Sequence, residues 1–259
     1  MVEQWLLPAA IGFAAGYLSG QFGIGGAVVT TPAIRLLLGY PQLIAVGTPL
    51  PVIIPTALSG ASTYVRAGMA DVRAGSLIGI LGSVFAVLGA WLTTLVGGTV
   101  VLLVTAGLIA YMAIDMLLHV LRPGEAIAPH VHEQRRTSWL WLGALGGATG
   151  LYSGFLGLGG GFIVVPMLVR LFGFSAKRAT GTSLIAVSIL AVPGTITHFA
   201  LGNIEPLLAL ALAVGTIPGA LLGARVTLKG SERTLRIGFA VLLIATGTLL
   251  ALSELGALS

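Results

Sequence analysis

The sequence predicts an all-α integral membrane protein of two inverted-topology repeats, each a short broken-helix hairpin followed by three transmembrane helices, with eight to ten helical segments in all. First, 56% of the 259 residues are hydrophobic and only 8% are charged, whereas soluble domains carry about 25% charged residues. Second, one glycine-rich pattern occurs twice along the chain. Third, lysine and arginine concentrate in alternate connections between the apolar segments.

The apolar segments are long enough for a bilayer. Mean hydropathy is +1.04, and spanning a membrane takes about 20 apolar residues. These runs carry no alternation of period two, so helices rather than barrel strands are predicted. The most continuous apolar runs are residues 77–96, 100–120, 207–222 and 237–252.

The repeat appears when the chain is shifted by 134 positions, which places Gly16 on Gly150 without a gap. Between residues 16 and 71, 17 of 56 positions are identical to their copies, and nine of these identities are glycines. The predicted organisation is therefore a first transmembrane repeat (1–121), a hydrophilic linker (122–137) and a second, inverted repeat (138–259). In membrane transporters, such a duplication places the binding site between the copies.

Each repeat begins with a segment interrupted by glycines. The apolar stretch 5–22 is broken at Gly23–Gly26, and the 12 residues that follow, 27–38, would rise about 18 Å as a helix, against a hydrocarbon core of ~30 Å. The two pieces are predicted to form a hairpin of short helices that enters and leaves on one side, with its tip buried near the membrane midplane. A pair of tilted, complete spans is the alternative.

The other elements follow in order. The span at 43–65 contains three prolines, which predict an irregular or kinked first half. The remaining predicted elements are a polar loop at 66–73, helices at 74–96 and 100–121, a second hairpin at 138–174 with its tip at 157–161, spans at 179–201 and 206–227, and a last helix at 235–252.

The charges predict the orientation in the membrane. Connections 66–73, 122–137, 173–178 and 228–236 hold nearly all the Lys and Arg, whereas connections 39–44, 97–100 and 201–206 hold none. Because basic loops stay in the cytoplasm, we expect both termini outside the cytoplasm. Equivalent loops of the two copies then lie on opposite sides, which is the reason for predicting inversion.

The glycine tips carry a resemblance to a known family. Gly23–Gly26 with Pro32 and Ala45–Thr48, and Gly157–Gly161 with Pro166 and Ala179–Ser183, resemble the sulfite exporter TauE/SafE family, also described as a permease family for sulfonates. The resemblance covers nearly the whole chain and implies transport of a small sulfur-containing anion such as sulfite, thiosulfate or an organosulfonate. The first copy departs from the family pattern at Ala27 and Pro49.

The residues themselves also favour an anion. A helix that starts after a glycine tip exposes free N–H groups and a partial positive charge at its first turn, and two such tips that meet form a cradle for an oxyanion. The alternative is that the glycines only allow close helix packing. The predicted binding glycines are Gly23, Gly25, Gly26, Gly157, Gly159, Gly160 and Gly161; packing is favoured for Gly16, Gly20, Gly60, Gly79, Gly82, Gly89, Gly219 and Gly223.

Several polar side chains are further candidates. Thr48, Thr182 and Ser183 begin the helices after the hairpins, where they either donate hydrogen bonds to the anion or cap their helices. Tyr64 and His198 occupy equivalent positions late in their spans, and His198 either gates or carries a proton or is merely solvated at an interface. Asp115 and His119, spaced four residues apart, suit a proton relay or a structural pair.

No catalytic constellation, metal centre or cofactor is predicted, and without cysteines thiol chemistry is excluded. The net charge of +5 is explained by the basic loops, and no basic run predicts nucleic-acid binding. We therefore expect a secondary transporter of the bacterial inner membrane that works by alternating access, with the small anion and the lipid bilayer as partners. A passive anion channel and a non-transporting scaffold subunit are the alternatives; direction, coupling ion and oligomeric state stay open.

Overall fold

The computed structural model describes residues 2–96 and 139–231, together with scattered positions between 100 and 111 and between 234 and 248. All regular structure in this part of the chain is helical, as the composition predicts. Its continuous helices are α1 (Val2–Phe22), α2 (Ala27–Leu36), α3 (Gln42–Gly47), α4 (Pro49–Arg66), α5 (Val72–Val96), α6 (Trp139–Leu156), α7 (Gly161–Phe172), α8 (Ala176–Ala200) and α9 (Pro206–Lys229).

Four helical stretches are long and apolar enough to cross a membrane: Gln42–Arg66, Val72–Val96, Ala176–Ala200 and Pro206–Lys229. Helices α2 and α7, of 10 and 12 residues, are too short to cross alone, because a helix rises about 1.5 Å per residue. The linker and most of the last predicted helix lie outside the described residues.

The hairpins differ from the expectation in one respect. Their first arms are long, since α1 has 21 residues and α6 has 18, and only the second arms are short. The glycines of the first arms do not interrupt them, because each of these glycines faces a neighbouring helix. A Cβ on Gly16 would collide with the carbonyl oxygen of Thr216, for example.

The predicted irregularity of the first span is slight, because Thr48 keeps helical backbone angles (φ −60°, ψ −34°) and α3 and α4 run on as one stretch, Gln42–Arg66. Helix α3 ends at Gly47 and α4 begins at Pro49, with Thr48 between them. A proline at the first helical position is tolerated because its missing N–H has no partner there in any case. Pro55 lies inside α4.

The first helix of each copy packs against the other copy. Helix α1 packs along α9 of the second copy, and its counterpart α6 packs along α5 of the first copy. A Cβ on Gly12 would collide with Leu212, and a Cβ on the equivalent Gly146 would collide with Ile78, the equivalent of Leu212. Such reciprocal contacts are those of a two-fold axis. The eight glycines predicted to serve helix packing all face a neighbouring helix, which confirms that prediction.

Equivalent helices of the two copies run in opposite directions at the centre. Along the α4–α8 contact, Gly60 faces Leu184 and Tyr64 faces Gly181, so residue numbers fall on one helix as they rise on the other. Helices α4 and α8 are copies of each other, and the two-fold axis therefore lies across them. The sense in which each copy crosses the membrane stays a prediction.

The loops gather at two ends of the molecule. At the first, which we call the charged end, Arg178 forms an ion pair with Asp71 at 2.8 Å, and Lys177 donates to the Leu228 carbonyl oxygen at 2.9 Å. The structure thus joins three of the connections predicted to be cytoplasmic. At the opposite end, which we call the cavity end, the start of α1, the 37–41 connection and the start of α9 surround a cavity of about 450 Å³.

Candidate functional site

Each glycine tip is a reversal of the chain that only glycine adopts without strain. In the first tip Gly25 and Gly26 have φ of 78° and 91°, and in the second Gly159 and Gly160 have φ of 72° and 74°. Side chains strongly disfavour this left-handed region. Glycine is therefore required at these positions by the backbone alone, and its presence does not by itself indicate a ligand.

The two tips meet inside the protein. A Cβ on Gly161 would lie 2.8 Å from the Cα of Ile24, and a Cβ on Gly23 would lie 3.0 Å from the Cα of Thr180. Residues 22–28 and 156–165 are all buried. The predicted juxtaposition of the tips is thus present in the fold, near the middle of α8 and of the α3–α4 stretch.

The backbone N–H groups of both tips lack partners. In the described part of the chain, no hydrogen bond takes the N–H groups of residues 24–28 or of residues 158–162. Gly26 and Gly160 cap α2 and α7 without a side-chain hydrogen bond. More than nine in ten buried N–H groups in proteins are paired, so these two clusters of unpaired buried donors are unusual. Free N–H groups at helix N-termini are where anions bind in other proteins.

Three buried serine and threonine side chains lie beside these donors. The Cβ atoms of Ser19 and Ser153 lie 3.7 Å and 3.5 Å from the points where a Cβ on Gly26 and on Gly160 would stand. Thr149 contacts Gly160 through its methyl group. All three are at most 1% exposed, and among the described residues their oxygen atoms have no hydrogen-bond partner. Thr31 and Thr180 also carry unpartnered buried hydroxyls.

The predicted ligands Thr48, Thr182 and Ser183 bind protein groups. The Thr48 Oγ1 accepts the Glu205 N–H at 3.0 Å, and the Thr182 Oγ1 accepts the Asp71 N–H at 2.9 Å. Ser183 Oγ donates to the Gly23 carbonyl oxygen at 2.9 Å. These bonds join one copy to the other, and direct contact of these three hydroxyls with an anion stays a prediction.

Tyr64 and His198 hold the first arms of the hairpins. The Tyr64 hydroxyl donates to the Gly20 carbonyl oxygen at 2.9 Å, and His198 Nε2 lies 3.0 Å from the Gly154 carbonyl oxygen. Both side chains are fully buried, so His198 is not solvated at an interface. Each anchors the residue that follows an unpartnered serine, and roles in gating or proton transfer stay predictions. Asp115 and His119 lie outside the described residues.

The chain segments that form the tips carry no charge. Residues 15–34 and 142–169 contain no Asp, Glu, Lys or Arg. An anion at this site would therefore be stabilised by N–H groups, helix dipoles and hydroxyls, with no countercharge from these segments.

Sequence reasoning missed Ser19, Thr149 and Ser153. A signal for the two serines was present, because Ser19 and Ser153 are identical under the 134-residue shift. Nothing in the sequence distinguished them from serines that bond to their own helix, as Ser83 does to the Gly79 carbonyl oxygen. Thr149 carries no such signal, since its counterpart is Ala15.

Duplicated apolar helices, two buried glycine corners and unpaired donors between the copies define a multi-pass membrane transporter. The sequence model of the family "Sulfite exporter TauE/SafE" matches residues 8–250. The chain belongs to this family, as the resemblance of the glycine tips implies.

Curated relatives support the same class. The chain is 26% identical to the probable membrane transporter protein YunE of Bacillus subtilis, over 94% of this chain and 96% of the relative. It is 30% identical to the probable membrane transporter protein YdhB of Bacillus subtilis, over 83% and 87%. A probable membrane transporter protein of Xylella fastidiosa is 28% identical over 94% of each chain. No solved structure matches the chain.

Proposed function

We propose that this protein is a secondary transporter of small sulfur-containing anions, such as sulfite, thiosulfate or an organosulfonate, and that the anion binds at the paired glycine tips. The observation that carries the proposal is that no group in the described part of the chain bonds the N–H groups of residues 24–28 and 158–162, which lie in buried segments without charged residues. Three or more donors converging on one oxyanion replace part of its hydration shell. The family description supplies the sulfur chemistry.

Alternating access is the proposed mechanism. The tips lie at the two-fold axis between copies whose equivalent helices run antiparallel, which supports inverted repeats in a membrane. In such a fold, one copy rocks against the other about a central site, so that the site opens to one side at a time. The segregation of basic connections to one end supports a cytoplasmic charged end and extracytoplasmic termini, in a bacterial inner membrane.

The test is uptake into proteoliposomes that contain the purified chain. Sulfite, thiosulfate, sulfate, taurine, sulfoacetate and formate are offered separately, with and without a proton gradient or membrane potential. We expect saturable uptake of at least one sulfur-containing anion that responds to the imposed gradient. Flux that rises linearly with concentration indicates a passive channel, and the absence of flux for every anion, with folded protein, indicates a scaffold subunit. Either result would overturn the proposal.

A further inference from the structure

We infer that the chain holds two separate anion half-sites, one behind each glycine tip, and that Ser19 and Ser153 are direct ligands of the anion. This inference rests on the proposed function and adds the number of sites and the identity of their ligands. It concerns three hydroxyls that the sequence does not single out and that no element of the scaffold uses.

The hydroxyls of Ser19 and Ser153 are unsatisfied where polar groups are rarely left so. Burying a hydroxyl without a hydrogen bond is unfavourable, and most such groups in proteins are paired. Ser19 is 0% and Ser153 is 1% exposed, and neither oxygen has a partner. Each lies against the N-cap glycine of a short helix, Gly26 or Gly160. A serine beside a set of free N–H groups suits an oxyanion, which accepts hydrogen bonds from a hydroxyl and from N–H groups alike.

The two serines are related by the two-fold axis. Ser19 precedes Gly20, whose carbonyl oxygen accepts from Tyr64, and Ser153 precedes Gly154, whose carbonyl oxygen is bound by His198. Both serines are therefore held at equivalent places by equivalent bonds, although the anchoring side chains differ. The same hydroxyl is thus unpartnered in both copies, which a shared role as anion ligand explains.

An apolar pair separates the two sets of donors. A Cβ on Gly25 would lie 2.8 Å from Val187 Cγ1 and 3.1 Å from Ile53 Cγ2, and a Cβ on Gly159 would lie 2.8 Å from Ile53 Cδ1 and 3.1 Å from Val187 Cγ1. Ile53 and Val187 are copies of each other and are at most 1% exposed. Because the same two side chains abut both tips, they lie between Gly25 and Gly159, and this is the reason for placing one anion behind each tip rather than one anion between them.

The half-sites are not identical. The second has an additional unpartnered hydroxyl on Thr149, where the first has Ala15. With one more potential donor, the second half-site is expected to bind the anion more tightly. The first half-site would then be the weaker of the two binding sites, which lie on either side of Ile53 and Val187.

The experiment is calorimetric titration of the purified full chain in nanodiscs with sulfite under nitrogen and, in parallel, with thiosulfate. The variants are Ser19→Ala, Ser153→Ala and Thr149→Val, and the matched control is Ser83→Ala, whose hydroxyl bonds within its own helix. We expect two anions per wild-type chain. Ser19→Ala should weaken one binding event and Ser153→Ala the other, each by about 10- to 100-fold, since hydrogen bonds to charged groups are the strong ones.

Thermal unfolding of the anion-free variants separates a ligand from a structural group. Removing an unpartnered hydroxyl should leave the melting temperature unchanged or raise it, whereas removing a structural one lowers it. A single anion per chain whose affinity falls in both serine variants would overturn the two half-sites. Unchanged affinity in both variants would overturn the serines as ligands. These outcomes leave the proposed function intact, whereas no binding of either anion by the folded wild-type chain would overturn the proposed function as well.

Discussion

The charged end and the cavity end share one pattern of hydrogen bonds between the copies and differ in their other side-chain contacts. At both ends a threonine hydroxyl accepts the N–H of an acidic residue from the other copy: Thr182 from Asp71 at the charged end and Thr48 from Glu205 at the cavity end. Only the charged end adds an arginine. Arg178 pairs with Asp71 at 2.8 Å and lies 4.5 Å from the centre of the Phe174 ring.

At the cavity end the equivalent positions have other side chains. Ile44 stands where the charged end has Arg178, and Tyr40 stands where it has Phe174. Among the described residues, no ion pair reaches Glu205, and Tyr40 and Glu205 line the cavity. The repeat thus gives both ends the same hydrogen bonds between the copies, whereas the ion pair and the ring contact at the charged end depend on side chains that differ between the copies.

The largest expected effect concerns the shared part of the two ends. Thr182→Val and Thr48→Val each remove the acceptor of an inter-copy N–H, and leaving such a donor unsatisfied costs about 1–3 kcal/mol. We expect both variants to lose similar stability in thermal unfolding in detergent without anion. Thr195→Val is the control, because that hydroxyl bonds to the Ala191 carbonyl oxygen of its own helix. A loss confined to one end would contradict a common scaffold.

The next effect concerns the ion pair. Arg178→Glu replaces attraction to Asp71 by repulsion and removes the contact with the Phe174 ring, so the charged end should open more often. The natural absence of cysteine allows opening to be measured as maleimide labelling of an Ala74→Cys variant, since Ala74 is buried beside Asp71. We expect labelling to rise on the order of tenfold, that is, by about 1.4 kcal/mol. Arg178→Lys should label slowly, and equal labelling of all three chains would show that the pair does not close this end.

The smallest effect is expected from adding an arginine at the cavity end, at the position equivalent to Arg178. Ile44→Arg places a guanidinium opposite Glu205, and a partly exposed ion pair contributes about 0.2–1 kcal/mol. Labelling of a Leu208→Cys variant should fall roughly threefold, because Leu208 lines the cavity. Ile44→Gln controls for size. If Ile44→Arg raises the labelling rate instead, an ion pair with Glu205 does not restrict access to the cavity end.

The fold could be predicted from sequence wherever the signal is repeated or periodic. Long apolar runs predicted the spans, and the helices bounded by Gly26 and Gly160 begin where the glycines indicated. The 134-residue shift predicted that Thr48 and Thr182 occupy equivalent positions, but not the bonds that they make between the copies. The length of α1 was missed, because the glycines within it suggest a break in the sequence, whereas packing against α9 keeps the helix continuous.

The site was predictable only in part. The glycine tips were located because their spacing recurs, but Ser19 and Ser153 were not, since the absence of a hydrogen-bond partner is a property of the packed structure. Nor does the sequence show that Ile53 and Val187 lie between the tips. Residues far apart in sequence reach that axis only because the copies cross antiparallel.

The most direct test of the central claim is nuclear magnetic resonance of the chain labelled with ¹⁵N-glycine in nanodiscs, titrated with sulfite. If the anion binds to the backbone of the tips, the amide signals of Gly25, Gly26, Gly159 and Gly160 will shift saturably. The signal of Gly89, which packs between helices α5 and α6, will stay unchanged. Saturable binding of sulfite that leaves all four tip signals in place would contradict the account.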